Sequence, residues 1–229
     1  MSIQKNIDLT VDAVVFGYHK KDGISVLLIR RKYEPFTGKW ALPGGFVLED
    51  ESLEEAVKRE LKEETGVSID YMEQLYTFGN PKRDPRKRIV SVAYFCFVQT
   101  SDFNELIAST DAEEAKWYNI KHLPDLAFDH SQILNTSIER LRSKIKYQPI
   151  GFELLEPKFP FSDLENLYST ILDRSIDRRN FKKKVMSLGI LDELNEKAKQ
   201  DGAGRPGNLF QFNPEAYQLR IKEGVNFEI

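Results

Sequence analysis

The sequence contains little cysteine and histidine and has no long hydrophobic run. A single cysteine in 229 residues excludes an internal disulfide, and Cys96 lies in an apolar segment typical of a protein core. Only three histidines are present, and none lies at ligand spacing from His130, so we interpret His130 as structural. No apolar run approaches the length of a membrane span, and the N-terminus lacks a signal-peptide core. We therefore expect a cytoplasmic protein that does not bind membranes.

The charge of the chain is nearly balanced. The formal net charge of −3 excludes a protein that is basic throughout, but it is compatible with local basic patches. The fractions of hydrophobic residues (41%) and charged residues (30%) are typical of a soluble globular protein. The length is sufficient for one large domain or two small ones.

Residues 45–67 contain the clearest helix signal in the chain. Ser52 suits an N-cap, and Glu55 three residues later completes a capping box. The spacing of the apolar residues then predicts one buried stripe, formed by Leu53, Val57 and Leu61. Gly66 is suited to end the helix in a left-handed conformation.

Three carboxylates crowd the C-terminal end of this predicted helix. Glu60, Glu63 and Glu64 are spaced i, i+3, i+4 and therefore share one face. Their mutual repulsion and the negative end of the helix dipole make the arrangement unfavourable by itself. A hard divalent cation such as Mg²⁺ would neutralise them, since Mg²⁺ prefers oxygen ligands. The alternative is a solvated face rich in glutamate.

The whole segment resembles the Nudix box, G-x5-E-x7-R-E-U-x-E-E-x-G-U, in which U is aliphatic. Every specified position is occupied in residues 45–67, and residues 40–45 resemble the usual entry to the motif. The resemblance implies that Glu60, Glu63 and Glu64 bind Mg²⁺ or Mn²⁺, together with the carbonyl of Gly44 or Gly45. It further implies that Arg59 orients the glutamates and that Glu51 stabilises the loop without itself binding the metal. The reaction implied is hydrolysis of a nucleoside diphosphate linked to another group.

Further site residues are predicted outside the box. Glu113 or Glu114 is a candidate general base, with a surface position as the alternative. Three arginines are candidates to bind the phosphates or ribose of the ligand, namely Arg83, Arg86 and Arg88. The alternative is that they lie on a solvated turn. Phe78 or Tyr33 would stack on an adenine, although either residue also suits a core.

The order of elements predicts an α/β (α+β) protein in two domains. Strands over residues 11–18 and 26–31 form a hairpin, and further strands are expected over residues 89–98 and 115–120. A helix from Asp129 closes this domain, which the Nudix resemblance makes an α/β/α sandwich with a mixed sheet. The pattern breaks at residues 147–151. We therefore predict domains at residues 1–147 and 148–229.

The second domain is predicted to be a winged helix. A capping box starting at Ser162 opens one helix, Asp177 caps a second that ends at Gly189, and two strands flank a glycine-rich loop at 197–208. The second helix has a basic face that would enter a major groove, with a solvated face as the alternative. The candidate DNA-binding residues are Arg178, Arg179, Lys182 and Lys183 on the helix and Arg205 on the loop.

Both halves together resemble the Nudix-related transcriptional regulator (NrtR) family. Further stretches carry this resemblance, namely residues 77–86, 123–130 and 204–206. It implies a homodimer that binds operator DNA and responds to ADP-ribose, another nucleotide sugar or a sugar phosphate. Many such regulators have degraded Nudix boxes, whereas this one is complete, which favours retained hydrolysis. The alternative hypothesis is an Mg²⁺-dependent pyrophosphohydrolase whose C-terminal domain does not bind DNA.

Overall fold

The computed structural model describes residues 6–69, 71–98, 112–198, 207–224 and 227–229, with the side chains of residues 112 and 113 excepted. The contacts divide the chain into two units, Met1–Gly17 with Ser25–Glu139, and Tyr18–Ile24 with Arg140–Ile229. The second unit thus includes the tip of the first hairpin and the end of a helix. The domain boundary after residue 147 stays a prediction.

The first unit is built on a mixed sheet. Its strands are β1 (Asp8–His19), β2 (Gly23–Arg31), β3 (Trp40–Ala41), β4 (Gly44–Phe46), β5 (Tyr71–Phe78), β6 (Ile89–Val98) and β7 (Ala112–Asn119). Their order is β3-β2-β1-β6-β5, with β4 paired to β1 and β7 paired to β2. β1 and β6 run parallel, whereas β5 and β7 pair antiparallel with their neighbours. The predicted hairpin and the strands β6 and β7 are confirmed.

Both faces of this sheet are buried. On one face, Val11, Ala13 and Val15 pack with helix α1 (Leu53–Thr65). Val14 and Phe16, which alternate with these residues along β1, are also fully buried, which requires cover on the opposite face. This is the layered α/β architecture that the sequence predicts.

Helix α1 has the ends that its sequence predicts. The Ser52 side chain accepts a hydrogen bond from the Glu55 amide, and the Glu55 carboxylate accepts one from the Ser52 amide, so the capping box is complete. Gly66 ends the helix at φ 75°. The last helix associated with the first unit, α2 (His130–Lys144), begins one residue after Asp129.

The second unit is a winged helix. It consists of β8 (Lys158–Pro160), α3 (Phe161–Leu172), α4 (Arg178–Ser187), β9 (Leu191–Lys197), β10 (Asn208–Phe212) and α5 (Pro214–Glu223). The three strands form an antiparallel sheet in the order β8-β10-β9. Tyr168 of α3 contacts Phe181 of α4 with ring centroids 4.8 Å apart, and both side chains are buried. The predicted pair of helices and the hairpin are confirmed.

One predicted cap in this unit is wrong. Helix α3 starts at Phe161 after Pro160, and no side chain caps it. The start is displaced because Phe161 is buried at the point where β8 ends, so the helix begins before Ser162. The predicted cap of α4 is confirmed, since Asp177 accepts from the Asn180 amide at 2.9 Å. No helix within the described residues is long and apolar enough to cross a membrane.

Candidate functional site

A cavity of about 320 Å³ lies in the first unit, between the sheet, the glycine loop and α1. Its wall combines acidic, basic and aromatic side chains. Its lining includes Arg31, Phe46, Glu60, Glu64, Arg83, Arg86 and Phe128. A wall that carries both charges suits a ligand with anionic and apolar parts.

The glycine loop lies directly against the carboxylates of α1. The Gly44 amide donates to Glu64 Oε2 at 2.9 Å, which ties the loop to the helix. A Cβ atom on Gly45 would lie 2.2 Å from Glu60 Oε1, so only glycine lets this carboxylate approach so closely. Gly44 has φ 153°, and a Cβ there would lie 2.1 Å from the Val11 carbonyl oxygen. The spacing of the Nudix box therefore brings loop and helix together.

Arg59 organises the acidic side chains. Its guanidinium forms two hydrogen bonds to Glu51, of 2.9 and 2.6 Å, and others to Glu60 at 2.8 Å and Glu63 at 3.3 Å. The hydrogen bonds from Arg59 lower the pKa of Glu51 to about 2. Arg59 also donates to the Phe46 carbonyl and so reaches the loop. These contacts link Arg59 to the loop and to the neighbouring carboxylates, and the roles of Arg59 and Glu51 stay predictions.

The acidic end of the cavity has the donor chemistry of a magnesium site. Glu60 is mostly buried, and this burial raises the pKa of its carboxyl group. Glu64 is buried beside it, whereas the side chain of Glu63 is 57% exposed. No three His, Cys, Asp or Glu side chains in the described part of the chain converge as metal ligands. The carboxylate oxygens beside the glycine loop nevertheless fit a hard cation in chemical type.

Replacing Glu60 by glutamine will stabilise the protein in metal-free buffer near neutral pH. The raised pKa means that ionised Glu60 opposes folding as the pH rises above about 4.5, its ordinary value, through the folded-state value. Below that range Glu60 is protonated in both states, so the difference between Glu60→Gln and the original protein will shrink. Thermal unfolding from pH 4 to 8 measures this difference. Glu49→Gln, at an exposed loop position, is the control, and a pH-independent difference would contradict the explanation.

Arg83 takes part in a buried network on one side of the cavity. It contacts Asp129 through two hydrogen bonds, of 3.0 and 2.8 Å, and Asp12 through one of 3.0 Å. His130 accepts from the Leu42 amide at 2.9 Å, and burial lowers its pKa. The network joins β1, the loop before β6 and the start of α2. The guanidinium of Arg83 is thus already bound to two carboxylates.

The other predicted ligand residues are dispersed. Arg86 lines the cavity and forms two hydrogen bonds to Asp84, of 3.0 and 2.7 Å. Arg88 donates to the neighbouring Ile89 carbonyl, and Phe78 is buried beside Tyr76; neither is part of the cavity wall.

Glu114, one of the two predicted general bases, is not among the described residues that line the cavity. Glu114 is exposed and pairs in register with Arg30, on the strand β7. The side chain of Glu113 lies outside the described residues. Tyr33, by contrast, is on the cavity wall and 56% exposed.

Arg31 lines the cavity although the sequence analysis did not select it. Its Nε donates to the Pro35 carbonyl at 2.9 Å and its Nη2 to the Tyr33 carbonyl at 3.3 Å. The guanidinium lies 4.8 Å from the ring centroid of Phe128. The only signal in the sequence was the pair of adjacent arginines at the end of a strand, whose side chains point to opposite faces.

The basic face of α4 forms a shallow groove in the second unit, lined by Arg178, Arg179, Lys182 and Lys183. Arg178 pairs with Glu165 at 3.1 Å. Lys182 lies over the rings of Phe161 and Phe210, at 5.4 and 5.6 Å. Arg179 and Lys183 have no ion-pair partner among the described residues. Arg205 falls in the segment outside the described residues.

Comparison with known proteins identifies both units. Residues 7–137 match the NUDIX domain model, and residues 151–212 match the model of the NrtR DNA-binding winged helix domain. The ADPR responsive transcriptional repressor NtrR of Acinetobacter baylyi is 33% identical over 223 residues, which cover 96% of this chain and 87% of that protein. The ADP-ribose pyrophosphatase of Methanocaldococcus jannaschii is 45% identical over 120 residues, covering 52% of this chain and 69% of that protein.

The fold of the whole chain is also found in a solved structure. The crystal structure of Shewanella oneidensis NrtR complexed with a 27mer DNA superposes with a TM-score of 0.83 at 35% identity, covering 96% of this chain and 97% of that chain. Because the similarity spans both units and not the Nudix domain alone, the chain belongs to the Nudix-related transcriptional regulator (NrtR) family.

Proposed function

We propose that this protein is a transcription regulator whose Nudix unit binds ADP-ribose or a related nucleotide-sugar diphosphate and whose winged helix binds double-stranded operator DNA. The observation that supports this proposal is that one chain contains both a cavity lined by acidic and arginine side chains and a helix with an exposed basic face. Two cations on that face, Arg179 and Lys183, have no ion-pair partner among the described residues. The Acinetobacter relative is described as ADPR responsive, and the Shewanella relative was crystallised with DNA.

The ligand would occupy the cavity of the first unit. Its diphosphate would lie near the acidic end of the cavity. A divalent cation held there, Mg²⁺ or Mn²⁺, would supply charge neutralisation and a more acidic water. Glu60, Glu63 and Glu64 would hold that ion, and Arg59 fixes the position of Glu60. Arg86 and the aromatic side chains of the wall would contact the rest of the ligand.

The winged helix would place α4 in the major groove. Arg179 and Lys183 would contact phosphates directly, and the loop that contains Arg205 would reach the neighbouring backbone or groove. A single winged helix covers one half-site, so we expect a homodimer on a two-fold operator. A regulator of this kind acts on chromosomal DNA, and we therefore place it in the cytoplasm.

A second activity, hydrolysis of the ligand, is favoured by the complete Nudix box. Water would attack one phosphorus of ADP-ribose and the P–O bond of the diphosphate bridge would break, giving AMP and ribose 5-phosphate. The similarity to the Methanocaldococcus ADP-ribose pyrophosphatase supports this activity. The geometry does not favour Glu114 as the base, because its exposed side chain is not on the cavity wall.

Ligand binding will raise the unfolding temperature of the protein. At a concentration 100-fold above its dissociation constant, a ligand stabilises the native state by about 2.7 kcal/mol. A thermal-shift screen of ADP-ribose, NAD and sugar phosphates, with and without Mg²⁺, measures this effect. If no nucleotide diphosphate shifts the transition, the ligand part of the proposal is wrong.

DNA binding is tested separately, by gel shift with genomic fragments in the presence of bulk competitor DNA. The regulator hypothesis predicts selective retention of one or a few fragments and a change in their retention when the ligand is added. Hydrolysis of ADP-ribose without any fragment preference would favour the alternative, an enzyme whose C-terminal domain does not bind DNA.

A further inference from the structure

The entry to the glycine loop is bound to the start of α2 through His130. The Leu42 backbone amide donates to His130 Nδ1 at 2.9 Å, across 88 residues of sequence, and both residues are buried. A buried amide needs an acceptor, and Leu42 lies between β3 and β4 and belongs to neither strand. The imidazole of His130 therefore satisfies a backbone donor at the point where the chain turns into the glycine loop.

Both ring nitrogens of His130 are occupied within the protein. Nδ1 accepts from Leu42, so the proton of the ring lies on Nε2, and Nε2 is 3.4 Å from Asp12 Oδ1. Burial lowers the pKa of His130, which keeps the ring neutral near neutral pH. His130 lines the cavity, but its ring has no nitrogen left for a ligand or a metal ion.

Asp12, which faces the ring of His130, is itself held in place. Its Oδ2 accepts from Arg83 at 3.0 Å and from Ser91 at 2.5 Å. Arg83 also binds Asp129, the residue before α2. The imidazole is thus positioned by a buried network that includes residues of β1, β6 and the start of α2.

The glycine loop carries this constraint to the acidic end of the cavity. Two residues after Leu42, Gly44 pairs with Asp12 across β1 and β4, and its amide donates to Glu64 Oε2 at 2.9 Å. The backbone has little freedom there, because Gly44 approaches Val11 so closely that a Cβ would lie 2.1 Å from its carbonyl oxygen. A shift of the chain at Leu42 would therefore displace the amide that binds Glu64.

We propose that His130 is a positioning residue for the metal end of the cavity: by accepting from the Leu42 amide it fixes the glycine loop, and the loop fixes the carboxylate of Glu64. This inference rests on the proposed function, because it concerns the site where Glu60, Glu63 and Glu64 would hold Mg²⁺ or Mn²⁺. His130 acts through the backbone and contacts neither the ion nor the ligand. The alternative is that its side chain only fills space in the core.

Three variants of His130 separate the hydrogen bond from the volume of the side chain. His130→Asn retains an acceptor close to the position of Nδ1, whereas His130→Ala removes both acceptor and volume. His130→Leu retains a large side chain but has no acceptor. His122→Ala is the control, because His122 is exposed in the turn after β7.

The first measurement is Mn²⁺ affinity without substrate, by titration followed with electron paramagnetic resonance. The dissociation constant for Mn²⁺ will rise by about 10- to 100-fold in His130→Ala and His130→Leu, the effect typical of removing a partner that orients metal ligands. His130→Asn will recover most of this loss, and His122→Ala will bind Mn²⁺ like the original protein.

The second measurement needs no metal. Hydrogen exchange of the Leu42 and Gly44 amides, followed by NMR in metal-free buffer, will accelerate in His130→Ala and His130→Leu and stay slow in His130→Asn. Thermal unfolding shows whether each variant is folded. If the alanine and leucine variants do not fold, His130→Asn decides alone: Mn²⁺ affinity and exchange like the original protein support the inference, and weaker affinity overturns it.

Other outcomes separate this inference from the proposed function. Mn²⁺ affinity in His130→Leu equal to that of the original protein overturns the inference and leaves the metal site standing. Loss of affinity in all three His130 variants also overturns it, because the ring and not the acceptor would then be required. If the original protein itself binds no Mn²⁺, the metal part of the proposed function is wrong, and the inference is rejected with it.

Discussion

Replacing both Arg179 and Lys183 by alanine will reduce the affinity of the protein for operator DNA by about 10- to 100-fold. Both side chains are exposed on α4, and neither has an ion-pair partner among the described residues. They are therefore the cations most available to phosphate. Each lost phosphate contact lowers the slope of log K against log salt by about 0.9, so the double variant will lose about 2 from that slope.

The neighbouring positions supply the controls for this DNA-binding experiment. Arg178→Ala will weaken binding less, because the guanidinium of Arg178 already pairs with Glu165 at 3.1 Å. Lys222→Ala removes an exposed cation from α5 and will change neither affinity nor slope. Titrations by fluorescence anisotropy at four salt concentrations measure both quantities. A double variant with the original slope would show that α4 does not contact DNA phosphates.

Replacing Gly45 by alanine will reduce the proposed metal-dependent hydrolysis by about 100-fold, since a displacement of about 1 Å from catalytic geometry has effects of that size. The added Cβ would lie 2.2 Å from Glu60 Oε1, so the carboxylate must move. The clashing atoms belong to the end of a flexible side chain, and the fold will therefore survive the change. Mg²⁺ affinity will fall as well, because Glu60 is one of the proposed ligands.

Alanine variants at two other glycines serve as controls for Gly45→Ala. Gly79→Ala will behave like the original protein, since its Cβ would contact the nearest atoms at 3.9 Å. Gly44→Ala will lower the unfolding temperature, because its Cβ would lie 2.1 Å from a backbone oxygen of Val11. Hydrolysis assays, Mg²⁺ titration and thermal unfolding distinguish the three variants. If Gly45→Ala retains full Mg²⁺ affinity, the approach of Glu60 to the loop is not part of the metal site.

The sequence by itself determined the elements that depend on local interactions. Helix α1 follows from its capping box, its apolar stripe and Gly66, all of which act within a few residues. The same holds for α4, whose Asp177 cap and buried Phe181 and Val185 were recognisable from spacing. The fixed spacing of the Nudix box also places its carboxylates on one helix face, beside the glycine loop.

Only the tertiary structure decided which charged side chains are available to a ligand. Arg83 was a reasonable ligand residue in the sequence, but it is bound to Asp129 and Asp12, which are 46 and 71 residues away. Arg31 resembled any arginine at a strand end, yet it is the guanidinium of the cavity wall without a described carboxylate partner. The charge available at a site depends on partners distant in the chain, and local spacing carries no information about those partners.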